Sequence, residues 1–206
     1  MPKAAFLDRD GVINRKAPAG KYIVREEDVE ILPGVEPAIR HLNRAGYAVV
    51  VITNQRCVAK GLIGTRELEK LHATMRERLA SAGARIDAVY YCPHELLDGC
   101  ACRKPAPGML LEASRTHDFD LPRSWMIGDS ESDITAGRQS GCRTVRIWEN
   151  DRHGVPATGA DLIAPCLLEA VRQIFELEKI PFFRPQSDSE PGCGVERPTK
   201  SGSISP

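Results

Sequence analysis

Ala4-Ala5-Phe6-Leu7-Asp8-Arg9-Asp10-Gly11-Val12 is the stretch that decides the fold. A short apolar run ends in two aspartates, one residue apart, and then a glycine. The apolar run reads as a buried strand. Glycine lets the chain turn sharply as it leaves that strand. Carboxylates placed where a central parallel strand gives way to a loop stand where open α/β sheets bind ligands. One acid of such a pair can attack an electrophile, and the other can trade protons or hold a metal.

Whole-chain properties bound what this pair can serve. A chain of 206 residues suits one domain with a substantial core. The 28 basic and 28 acidic residues cancel, so no global field draws the protein to nucleic acid or to an acidic membrane. No apolar run approaches the ~20 residues that span a bilayer, and no secretory signal pattern is visible. The expectation is a cytoplasmic monomer acting on a small molecule.

Outward from the first strand, residues 13–33 are polar and carry little periodicity, as in a long active-site loop. Val35, Ala38, Ile39, Leu42 and Ala45 then recur at helical spacing, and Gly46 stops that helix. Tyr47 to Asn54 is an unbroken β-branched run, the signature of a strand buried on both faces. A helix follows over about 65–82, with Thr65 as its expected N-cap and Leu68, Leu71, Met75 and Leu79 as its buried stripe. Further strands are expected at 86–91, 124–128 and 144–148, and further helices from Pro107, over 130–140 and over about 166–178. Alternating strands and helices imply an α/β fold with a mostly parallel central sheet. The Pro-, Ser- and Gly-rich segment 181–206 reads as a disordered tail beyond a 1–180 domain.

Four strand ends carry polar residues: Asp8/Asp10, Thr53/Asn54, the segment leading to Arg103/Lys104, and Asp129/Asp133. In a parallel sheet these ends share one edge. The inventory suits phosphoryl transfer from a monoester. Asp8 would attack phosphorus, and Asp10 would act as acid and then base. Thr53 and Lys104 would donate to the phosphoryl oxygens. Asp8, Asp10 and Asp129 would hold Mg²⁺, with Asp133 behind them. Each piece alone is more often a turn or a helix cap. Together, in order and each after its own strand, they resemble the haloacid dehalogenase superfamily of phosphatases. The resemblance covers about residues 4–148 and implies a Rossmann-like three-layer sandwich, an aspartyl-phosphate intermediate and a Mg²⁺ requirement. Neither loop where that superfamily inserts a cap domain has room for a large one, so a capless type is expected.

Cys92-Pro-His94 and Cys100-Ala-Cys102 place three thiols and an imidazole within eleven residues. Zn²⁺ takes four such ligands, and a filled shell is structural. Buried cysteines beside an unrelated histidine are the minority reading of so tight a cluster. Arg103-Lys104 follows at once, so the metal loop would also position the cations at the phosphate. This run, with Pro107-Gly108-Met109-Leu110, is similar to the heptose-bisphosphate phosphatase branch of the superfamily, with the histidinol-phosphatase domain as a close relative. That resemblance implies substrate contacts from Gly20, Lys21, Tyr22, Thr53, Asn54, Gln55, Arg56 and Arg103. Arg56-Cys57 and Ser130 depart from the branch's usual residues, which bears on substrate and anomer preference. His41, His72, His117 and His153 have no metal-like neighbours and read as structural or exposed.

Overall fold

Alternation along β1 (Lys3–Leu7) sets the layers of the fold, seen here in a computed structural model that describes residues 1–148 and 158–182. Ala5 and Leu7 face one core, and Ala4 and Phe6 the other. The same two-residue period continues in β2 (Tyr47–Asn54), where Val49 and Val51 face the first core and Val50 and Ile52 the second. Helices α1 (Val35–Arg44), α2 (Thr65–Ser81) and α5 (Leu167–Glu178) fill the first core. Helices α3 (Gly108–His117) and α4 (Glu131–Ser140) cover the second. Burial on both faces explains why the central strands are almost wholly apolar.

The sheet has six parallel strands in the order β3-β2-β1-β4-β5-β6, with β3 at Ala88–Cys92, β4 at Trp125–Gly128, β5 at Arg143–Ile147 and β6 at Leu162–Ala164. Leu7 pairs with Val51 on one side and with Ile127 on the other. The chain therefore winds outward from β1 in both directions, and the carboxyl end of β1 is the switch point where such sheets form clefts.

The α/β, Rossmann-like expectation holds. The expected list of strands lacked β6, a three-residue edge strand. Helix α2 is capped by Gly64 rather than Thr65, which is its first residue. No extra domain is inserted after β1 or between β2 and β3. The loop after β1 is pinned instead. Asn14 bridges to both Asp10 and Ile31, and Ile13, Ile23 and Val29 are buried beneath it. The packed body runs to at least Phe182, whose ring lies 4.0 Å from that of His41. His153 and the tail from residue 183 lie outside the described residues.

Candidate active site

The loops after β1, β2 and β4, with the segment before α3, wall one cleft at the switch point. At its floor lies Asp8, the first residue past β1, nine-tenths buried. Asp8 Oδ1 accepts from the Arg9 backbone N–H at 2.8 Å and from Lys104 Nζ at 2.8 Å. The same ammonium donates to the Ile52 carbonyl at 2.7 Å and lies 2.5 Å from Asp133 Oδ1. Two hydrogen bonds and this ion pair engage the ammonium. Burial pushes the Asp8 carboxyl up to about 7, with Lys104 opposing and Asp133, Asp10 and Asp129 adding to the rise. Burial would lower the Lys104 pKa, but Asp133 and Asp8 outweigh it and hold the ammonium charged.

Asp10 stands in different surroundings. Arg9 grips it with a fork, Nε to Oδ1 at 3.0 Å and Nη2 to Oδ2 at 2.8 Å. Asn14 Nδ2 donates to Oδ1 at 2.9 Å and Gln55 Nε2 to Oδ2 at 3.2 Å. Burial would raise this carboxyl, yet Arg9 and these donors hold it below its usual range. Two acids separated by one residue are thus pushed in opposite directions by their surroundings.

Carboxylate oxygens of Asp8, Asp129 and Asp133 lie within 4.8 Å of one another. The Asp10 carboxylate, expected among the metal ligands, is not in this group because its four donors engage both oxygens. Asp133, expected behind the metal, stands inside the group. It also accepts from the Ser130 N–H and hydroxyl, closing a capping box at the start of α4. Asp129 Oδ2 takes a hydrogen bond from Lys16 Nζ at 2.7 Å, and the buried Oδ1 has no hydrogen-bond partner. A cluster of acidic oxygens, two of them without a hydrogen-bond partner, suits a hard divalent cation. Gly11, at φ +93°, keeps the cluster open, since a Cβ there would fall 2.1 Å from Asp129 Oδ2.

The end of β2 is organised by amides. Gln55 Nε2 joins Thr53 Oγ1, at 2.8 Å, to Asp10. Asn54 exchanges two hydrogen bonds of 3.1 Å with the backbone of Lys104. Both residues were expected on substrate; they line the cleft, but their hydrogen bonds brace it. Gly20, Lys21 and Tyr22 also line it. Arg56 and Arg103 do not. Arg56 pairs with Glu95, and Arg103 Nη1 donates to the His94 carbonyl at 3.2 Å.

Cys92, His94, Cys100 and Cys102 converge as expected. Cys102 Sγ lies 3.2 Å from Cys92 Sγ and 3.2 Å from His94 Nδ1, and Cys92 Sγ lies 3.6 Å from Cys100 Sγ. The edge of a tetrahedron of sulfurs around zinc is about 3.8 Å, whereas a disulfide would bring two sulfurs to about 2.0 Å. The sequence marks no separate role for Arg9, Asn14 or Lys16, and His72 reads from it as structural or exposed. The signal for Arg9 was its position: between two acids that both face a cleft, an arginine has little choice but to turn inward and neutralise one.

The fold and this edge fit a class, α/β hydrolases that carry paired aspartates at the end of the first strand. A family model described as HAD-hydrolase-like matches residues 101–153. The D-glycero-beta-D-manno-heptose-1,7-bisphosphate 7-phosphatase of Rhodopseudomonas palustris is 46% identical over 155 residues, covering 72% of this chain and 84% of its own. The corresponding alpha-named enzyme of Campylobacter jejuni is 40% identical, covering 73% and 84%. The crystal structure of D,D-heptose 1,7-bisphosphate phosphatase from B. bronchiseptica, complexed with magnesium and phosphate, superposes with a TM-score of 0.76 at 35% identity, covering 85% of this chain and 99% of that one. The chain belongs to the haloacid dehalogenase-like hydrolase family, and its relatives there are sugar-phosphate phosphatases.

Proposed function

We propose that the protein hydrolyses the C7 phosphate of D-glycero-D-manno-heptose 1,7-bisphosphate, supplying nucleotide-activated heptose synthesis. The observation that carries the reading is the Asp8–Lys104–Asp133 arrangement with Asp10 held apart from it, in a chain whose relatives bear that name. Asp8 attacks phosphorus, and the bond from phosphorus to the sugar oxygen breaks. Asp10 gives its proton to that oxygen. Water then attacks the phosphoaspartate, Asp10 takes the water's proton, and phosphate leaves. The donors around Asp10 favour the ionised form that the second half needs. A dianionic phosphate arriving beside it raises its proton affinity, as the first half needs. Lys104 fixes Asp8 for in-line attack and keeps positive charge beside the transferring group.

Mg²⁺ fits the Asp8, Asp129 and Asp133 carboxylates, and when bound it would neutralise charge on the transferring phosphoryl group. Zn²⁺ fits the Cys92, His94, Cys100 and Cys102 set and would have no open position, a structural role. The same reading makes the protein a cytoplasmic monomer.

The test is phosphate release with magnesium from both anomers of the heptose bisphosphate, from histidinol phosphate and from a 3′-phosphorylated oligonucleotide. A higher kcat/KM on one heptose anomer is expected. A clear preference for histidinol phosphate or the oligonucleotide would overturn the substrate assignment.

A further inference from the structure

We infer that His72 is a positioning residue for Asp10, acting through Arg9; this rests on the catalytic role proposed for Asp10. Arg9 is fully buried although it carries a charge. Its fork on Asp10 uses Nε and Nη2. Its remaining terminal nitrogen, Nη1, lies 3.2 Å from His72 Nε2. A guanidinium donates and never accepts. Nε2 of His72 must therefore be the acceptor, with the imidazole neutral and its proton on Nδ1. His72 lies on the buried stripe of α2, between Leu71 and Met75, with the Tyr91 ring 5.6 Å away. A histidine on such a stripe is usually a packed core residue. This one also meets the group that grips both oxygens of the acid–base aspartate.

A guanidinium held at three nitrogens has one orientation. Without the acceptor, Nη1 would be left buried and unpaired, a penalty that the fork relieves by rotating or by admitting water. Either response loosens Asp10. Misplacing a proton-transfer group by about 1 Å lowers turnover by roughly 100-fold. His72 does not line the cleft, so substrate affinity is expected to stay put.

His72→Leu is expected to lower kcat on heptose bisphosphate by roughly 10- to 100-fold, with KM little changed. His72→Gln, whose amide oxygen can accept from Nη1, is expected to restore most of that loss. Arg9→Lys, which cannot form the fork, is expected to lose kcat similarly, and adding His72→Leu to it should cost little more, because the two act as one unit. Unchanged kcat in folded His72→Leu, a loss confined to KM, or full additivity with Arg9→Lys would overturn the inference. If His72→Leu does not fold, His72→Met takes its place. Nitrogen NMR of the wild-type imidazole reads the tautomer without any turnover, and an Nε2–H form would overturn the inference even if the substrate assignment stood. Wild-type protein that releases no phosphate would instead overturn the function proposed above.

Discussion

Lys104 Nζ lies 2.5 Å from Asp133 Oδ1 and, on its other side, 2.8 Å from Asp8, so one buried ammonium separates two buried carboxylates. Lys104→Met would leave those carboxylates facing each other with no cation between them. Breaking a buried pair in this way destabilises by about 3–5 kcal/mol. Urea unfolding of the metal-free protein should show that loss together with collapse of phosphatase activity. A variant as stable as wild type would mean that the lysine is not the keystone of the site.

Asp8→Asn removes the nucleophile and should lower kcat by at least about 1,000-fold. Its stability carries a pH signature. The Asp8 pKa is raised on folding, so the contribution of Asp8 to stability is complete below the unfolded carboxylate range and is lost as pH rises through about 7. Asparagine cannot ionise. In metal-free melts the variant should therefore be more stable than wild type at pH 8, with the gap closing towards pH 4. A constant gap across that range would contradict the buried-charge account.

Gly11→Ala places a methyl group on Asp129 and forces alanine into left-handed backbone. Strain of that kind amounts to about 1–3 kcal/mol. Magnesium affinity should fall by roughly 10- to 100-fold, as when groups that orient metal ligands are disturbed. Calorimetric titration with Mg²⁺ in the absence of substrate checks this, and unaltered affinity would count against Asp129 as a ligand.

At the opposite end of the sheet, Glu178 on α5 accepts from Trp125 Nε1 at 2.7 Å, Tyr47 Oη at 2.7 Å and Lys3 Nζ at 3.0 Å. Burial would raise this carboxyl, but these donors hold it below its usual range. The stabilisation is present above the unfolded glutamate pKa and is lost as pH falls through the lowered folded value. Glu178→Gln should therefore be less stable than wild type at neutral pH by about 1 kcal/mol, with the difference shrinking in acid. Denaturation followed by tryptophan fluorescence would read it, and a difference that grew on acidification would reverse the assignment.

Stripping zinc with a thiol-compatible chelator, in excess magnesium, should lower the melting temperature and turnover together, with about one zinc released per chain. Cys100→Ser should behave likewise. Wild-type melting and turnover in zinc-free protein would reduce the loop to four side chains that happen to meet.

Much of this was legible in the chain because the central strands are buried on both faces and so lack polar interruptions. β1, β2 and β4 announce themselves, and their polar ends mark the edge. Leu162–Ala164 escaped because three residues at a sheet margin are too short to show a period. The α2 cap escaped because Gly64 offers the backbone no side chain, while the adjacent threonine looks like a better one. At the site, residue types were readable but partners were not. Asn54 and Gln55 have the chemistry of substrate ligands, and only the folded chain shows their amides turned onto Lys104, Thr53 and Asp10. Arg103 follows the same logic, since adjacency to Lys104 in sequence does not give it the same direction in space.

The pinned loop after β1 has a chemical corollary. Among the described residues no separate domain covers the cleft, so water can reach a phosphoryl group held against Asp8 through the same mouth that admits the sugar. An architecture of this kind ends its cycle with inorganic phosphate, and converting it into a mutase would require building a roof before altering a single catalytic group.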